Sequence, residues 1–94
     1  MKEIFIVYAY EKNLVTEQFS PKTVLSVHKT LEGAELFLDK QEQLVQSQSD
    51  PHEATRVSSH FTEDGRFKGG FYAYSKRNRR IQHWFLISRK PIVP

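Results

Sequence analysis

The sequence contains no cysteine, which excludes a disulfide framework, a thiolate metal site, an iron–sulfur cluster and a cysteine nucleophile, and suits a reducing compartment. Glycine and proline occur only four times each, and no linker, low-complexity tract or internal repeat interrupts the chain. No apolar run approaches the ~18 residues that cross a bilayer as a helix. The first eight residues read as a strand, without the apolar core and cleavage site of a secretory signal. These absences lead to the expectation of a soluble, cytoplasmic protein without a membrane partner. A glycine-rich phosphate loop, a nucleophile elbow, zinc-ligand spacing and paired carboxylates are missing too, so no metal and no cofactor are expected.

What is present fits one domain spanning 1–94, because 94 residues are too few for two cores. Apolar residues make up 38%, and the seven Phe, four Tyr and one Trp mean that rings carry much of the core volume. The net charge of +3 conceals a division. Residues 1–53 hold five basic side chains against nine acidic ones, whereas residues 54–94 hold nine basic against two acidic, a net of −4 facing a net of +7. Such a surface can steer an anionic partner to the C-terminal half or pair two copies head to tail, and it also serves solubility and edge protection.

Residues 4–10 are continuously apolar or aromatic and predict a central strand covered on both faces. Residues 14–22 read as a loop or short edge segment. Thr23 to Lys29 alternates and predicts a second strand, with Leu25 and Val27 on the inward side and Ser26 and His28 opposite. Thr30 is placed to cap a helix from Leu31 to about Ser47, whose stripe of Leu31, Ala34, Phe37, Leu38, Leu44 and Val45 should lie on a sheet. Gly33 implies either close packing or a weak first turn. After the turn at 47–51, residues 55–62 alternate, and Asp64-Gly65 suits a tight hairpin. A returning strand follows over 66–75, with Gly69-Gly70 marking a bulge or a close backbone approach. A charged turn then leads to a strand from Ile81 to Ser88, which Pro91 ends. The order β-β-α-β-β-β predicts an α+β fold, an antiparallel sheet of about five strands with one amphipathic helix on one face. Ile6, Leu25, Phe37, Leu38, Val57 and Phe85 are the expected core.

Three constellations carry possible chemistry. In the segment 67–90, aromatic residues, Trp84 foremost, are interleaved with Lys68, Lys76, Arg77, Arg79 and Arg80, the mixture that neutralises phosphates and stacks on unpaired bases. Alternation assigns about half of those rings to the core instead. Tyr8 and Tyr10, like Tyr72 and Tyr74, occupy alternate strand positions, so each pair shares a face and could bury itself in a partner. Of the four histidines, His28 and His52 fit no ligand pattern, while His60 and His83 are the weak catalytic candidates, an acid and a base for ribose chemistry if the sheet brings them together. Parity argues for opposite faces.

The expected function is that of a small non-enzymatic binding module, an adaptor or inhibitor that docks on protein through the Tyr-bearing face and the basic hairpin and pairs as a homodimer. Small cysteine-free accessory proteins of phages and mobile elements have this make-up, an analogy of size and class alone. The alternative is binding of RNA or single-stranded DNA by hairpin 67–90, and the third reading is a metal-independent ribonuclease.

Overall fold

Two long strands form the spine of the molecule: β1 (Lys2–Asn13) runs antiparallel to β6 (Ile81–Ile92) over its whole length, from Lys2 opposite Ile92 to Asn13 opposite Ile81. The computed structural model describes residues 2–50, 52–57, 63 and 65–92. On the far side of β6 lie β5 (Phe67–Ser75) and then β4 (His52–Arg56). On the far side of β1 lie the two-residue β2 (Gln18–Phe19), opposite its end, and β3 (Thr23–His28), opposite Phe5–Ala9. Among the described residues this is one antiparallel sheet of six strands crossed on one face by α1 (Leu31–Gln46), an α+β fold. The extra strand, β2, falls in the stretch expected to be a loop or short edge.

The helix begins where its cap predicts. Thr30 is extended, and its hydroxyl accepts the amide N–H of Gly33 at 3.1 Å, satisfying one of the orphan donors of the first turn. A Cβ on Gly33 would stand 3.1 Å from that hydroxyl and 3.4 Å from the His28 ring, so the glycine marks close packing. Ala34, Leu38 and Val45 are buried on the sheet, with Leu31 and Phe37 packed against the same cluster. Leu44, expected in the stripe, is 59% exposed, because it sits one position off the line through Leu38 and Val45.

Beneath the helix, Phe5, Val7, Phe85, Ile87, Phe71 and Ala73 form the core, with Phe71 and Phe85 facing one another at 4.7 Å between ring centroids. Two glycines let β5 lie close to β6. The register shifts between Phe67 and Gly69, where Gly69 adopts φ 96°, and a Cβ on Gly70 would fall 1.9 Å from the Phe85 carbonyl oxygen. Both the bulge and the close approach signalled by the pair therefore occur.

Five expectations need correction. A bulge where β3 passes Val7 and Tyr8 makes Leu25 the extra residue, 38% exposed, and it turns Val27 onto the face away from the helix, leaving Ser26 and His28 on the helix side. The His28 ring then packs on Phe37 at 5.5 Å. Ile6 is buried, but it lies on the face away from the helix, among neighbouring strands. Among the described residues no helix covers the second face of β1, a strand expected to be covered on both sides. Finally, β6 continues through Pro91 rather than stopping. Arg89 donates its N–H toward Arg66, and Pro91, two residues on, directs its missing donor to the same side, where β5 has already ended. The strand expected over 55–62 starts earlier, at His52, and residues 58–62 and 64 lie outside the described residues.

Candidate functional site

Strand alternation divides the side chains of β1, β6 and β5 between two faces of unlike character. On the helix face the charges are paired: Arg56 with Asp39 and Glu42, Lys68 with Glu35, and Arg89 with Glu3. Burial alone would lower the Arg56 pKa, but the Asp39 hydrogen bond and the Glu42 charge outweigh it and raise it above the ordinary value. Acidic residues of α1 thus neutralise cations of the strands beneath it.

The opposite face is aromatic and basic. Five rings run across it in series: Phe19 to Tyr10 at 5.7 Å, Tyr10 to Trp84 at 6.0 Å, Trp84 to Tyr72 at 4.9 Å and Tyr72 to Tyr74 at 6.5 Å. They come from β2, β1, β6 and β5, aligned by the pairings Tyr10 with Trp84 and Trp84 with Tyr72. Tyr10 and Trp84 are nearly parallel, 5° apart. The Trp84 indole donates to Gln82 Oε1 at 3.2 Å, which fixes the ring and satisfies its single donor. Burial against these neighbours raises the Tyr10 phenol pKa above its ordinary value.

Cations stand over the same rings. Lys12 Nζ is 5.3 Å from the Phe19 centroid, Lys22 Nζ is 5.9 Å from Tyr10 and 4.9 Å from Phe67, and the Arg79 guanidinium is 5.2 Å from Tyr74. Arg79 also reaches Glu53 at 3.4 Å, and Glu53 is the one acid among the described strand residues of this face. Lys12, Lys22 and Lys90 make no ion pair among the described residues.

The basic tip between β5 and β6 is built on Ser75. Its hydroxyl accepts the N–H groups of Arg77 and Asn78 at 3.2 and 3.3 Å and donates to Asp50 Oδ2 at 2.7 Å, tying the turn to the segment after the helix. Lys76, Arg77, Arg79 and Arg80 are all exposed there, at the Tyr74 end of the ring series. Lys68, expected to join them, instead points to Glu35 on the helix side.

Trp84, Tyr10, Tyr72 and Tyr74 thus meet on one face, whereas Tyr8, on that face too, lies beside Lys22 and Phe67 rather than in the series. Phe19, Lys12 and Lys22 escaped the sequence reading because they belong to a segment without periodicity. His60 lies outside the described residues. His83 faces the helix side, its Nδ1 3.4 Å from Glu11 Oε1 and its ring 5.5 Å from that of His52, whose Nδ1 is 2.8 Å from the Asp50 carbonyl oxygen. The His52–His83 pair has no local sequence signal, since it depends on how β4, β5 and β6 register. Among the described residues no group of three or more His, Asp or Glu is placed to hold a metal ion, and no helix is long and apolar enough to cross a membrane.

No protein family, curated protein or solved structure matches the chain.

Proposed function

We propose that the face of the sheet away from the helix binds single-stranded nucleic acid. The observation that carries this reading is the five-ring series from Phe19 to Tyr74 bordered by Lys12, Lys22 and Arg79, on a face with a single acid among its described strand residues. Bases stack on rings at ~1–3 kcal/mol each, and successive rings supply successive platforms. Unpaired lysines neutralise the phosphates between them, a contribution that falls with salt. Recognition of this kind tolerates many sequences, since every base has a π-face. A cationic ligand, or one without planar groups, would use only half of the surface.

The test is anisotropy of labelled single-stranded RNA and DNA at low salt, where the electrostatic contribution is greatest. Saturable binding that weakens linearly in log–log against salt supports the proposal. Absence of binding at low salt, or equal binding by a Trp84→Ala variant that folds normally, overturns it.

A second reading, docking on a protein or on a second copy of the chain, is favoured by the aliphatic corner of the same face. Val24 and Val27 are 53% and 56% exposed there, opposite Tyr8 and Ile6. Sedimentation at twice the monomer mass that reverts to monomer on Val27→Lys supports this reading, and a monomer at millimolar concentration removes the homodimer.

A further inference from the structure

Next to the ring series, on the same face, a cavity of about 510 Å³ is lined by Tyr8, Lys22, Arg66, Phe67, Ser88 and Lys90. Its size suits a small organic ligand, and its lining combines two aromatic residues, four cationic residues, Arg89 among them, and two hydroxyl-bearing residues, with no acidic residue among the described lining residues. Ser88, only 4% exposed as a residue, lines this cavity. A serine hydroxyl at a cavity wall can donate to and accept from a ligand atom. Lys22 stands 4.9 Å from the Phe67 ring centroid, so a cation and a ring wall meet at one edge. Lys90, on the same strand and face as Ser88, supplies a second amino group with no ion pair among the described residues.

We infer that this cavity binds a nucleoside monophosphate, met either free or as the phosphorylated end of a bound strand; the second source rests on the strand-binding reading above. The phosphate lies against Lys22, Lys90 and the Ser88 hydroxyl, and the base lies against Tyr8 and Phe67. The division follows from chemistry: three oxygen acceptors need the convergent donors, and a planar heterocycle needs the rings. Lys22 lies over both Phe67 and Tyr10, so the cavity is continuous with the ring series, and the end of a strand stacked along those rings would enter it.

The experiment titrates the intact chain with AMP and with inorganic phosphate, following backbone amide shifts, and measures strand binding with and without a 5′-phosphate. AMP is expected to shift Tyr8, Phe67, Ser88 and Lys90 and to bind at least about tenfold more tightly than inorganic phosphate. Lys90→Glu should weaken AMP by about tenfold or more and Ser88→Ala by about threefold, with Trp84→Ala leaving AMP unchanged. A gain from the 5′-phosphate that Lys90→Glu abolishes assigns the strand end as the source, and AMP binding without such a gain assigns the free nucleotide. Strand binding without any AMP binding overturns the cavity and leaves the ring surface standing. AMP binding without strand binding does the reverse. Shifts confined to other residues, or equal affinity for AMP and phosphate, also overturn the inference.

Discussion

Tyr72 and Trp84 face one another across the β5–β6 ladder with ring centroids 4.9 Å apart, on the side of the sheet that the helix leaves open. One residue along each strand, Phe71 and Phe85 make the corresponding pair at 4.7 Å beneath the helix, and both are buried. The same hairpin thus builds a core with one set of rings and a surface with the other. The contrast between these pairs separates stability from binding.

Trp84→Ala should cost single-stranded nucleic acid binding ~1–3 kcal/mol by removing a stacking platform. Phe85→Ala should instead cost ~3–5 kcal/mol of folding stability. Urea denaturation and anisotropy on both variants check the division: a Trp84→Ala stability loss as large as that of Phe85→Ala would make the indole a core residue.

Lys12→Ala combined with Lys22→Ala should flatten the salt dependence of binding, with a loss of slope of about 1.4 for two phosphates at ~0.7 each. Lys68→Ala should leave the slope unchanged, because Lys68 pairs with Glu35 on the other face. Equal effects from the double variant and from Lys68→Ala would show diffuse attraction to net charge rather than a ligand track.

Gly70→Ala is expected to destabilise the fold by ~3 kcal/mol or more, since its Cβ would meet the Phe85 carbonyl oxygen at 1.9 Å and backbone must move. Thermal or chemical unfolding reads this directly, and a loss below ~1 kcal/mol would mean that β5 and β6 can separate at that point at little cost.

On the helix, Leu38→Ala should cost ~2–5 kcal/mol, while Leu44→Ala should change stability by less than ~0.5 kcal/mol. The two leucines differ in burial, 2% against 59% exposed, although periodicity placed both on the sheet. Comparable losses in denaturation would return Leu44 to the core.

Alkaline titration offers an independent check on the ring series. Burial raises the Tyr10 pKa, so its phenol should ionise after a fully exposed tyrosine would. A raised folded pKa stabilises the neutral form, so its contribution is complete below the unfolded pKa and is lost as pH rises through the folded value. Difference absorbance at tyrosinate wavelengths on wild type and Tyr10→Phe isolates this ionisation, and a tyrosine lost from the early part of the curve would contradict the placement.

Local order was legible in the sequence because its causes are local. Apolar spacing and the Thr30 cap are properties of neighbouring residues, and they placed α1, β1, β5 and β6 and the one-helix, antiparallel class. Alternation likewise decided that Tyr72 and Tyr74 share a side, and that Phe85 belongs to a different side of its strand from Trp84. It could not decide which side the helix covers, since period 2 distinguishes faces without naming them. Only tertiary structure set β1 against β6, so that Tyr10 reaches Trp84 from the other end of the chain. It alone placed the β3 bulge that inverted the reading of Leu25 and Val27, because one extra residue exchanges faces for everything beyond it. The cavity at Ser88 and the meeting of His52 with His83 also depend on register between distant segments, which is fixed by the packing of the whole sheet and leaves no mark in any one stretch of sequence.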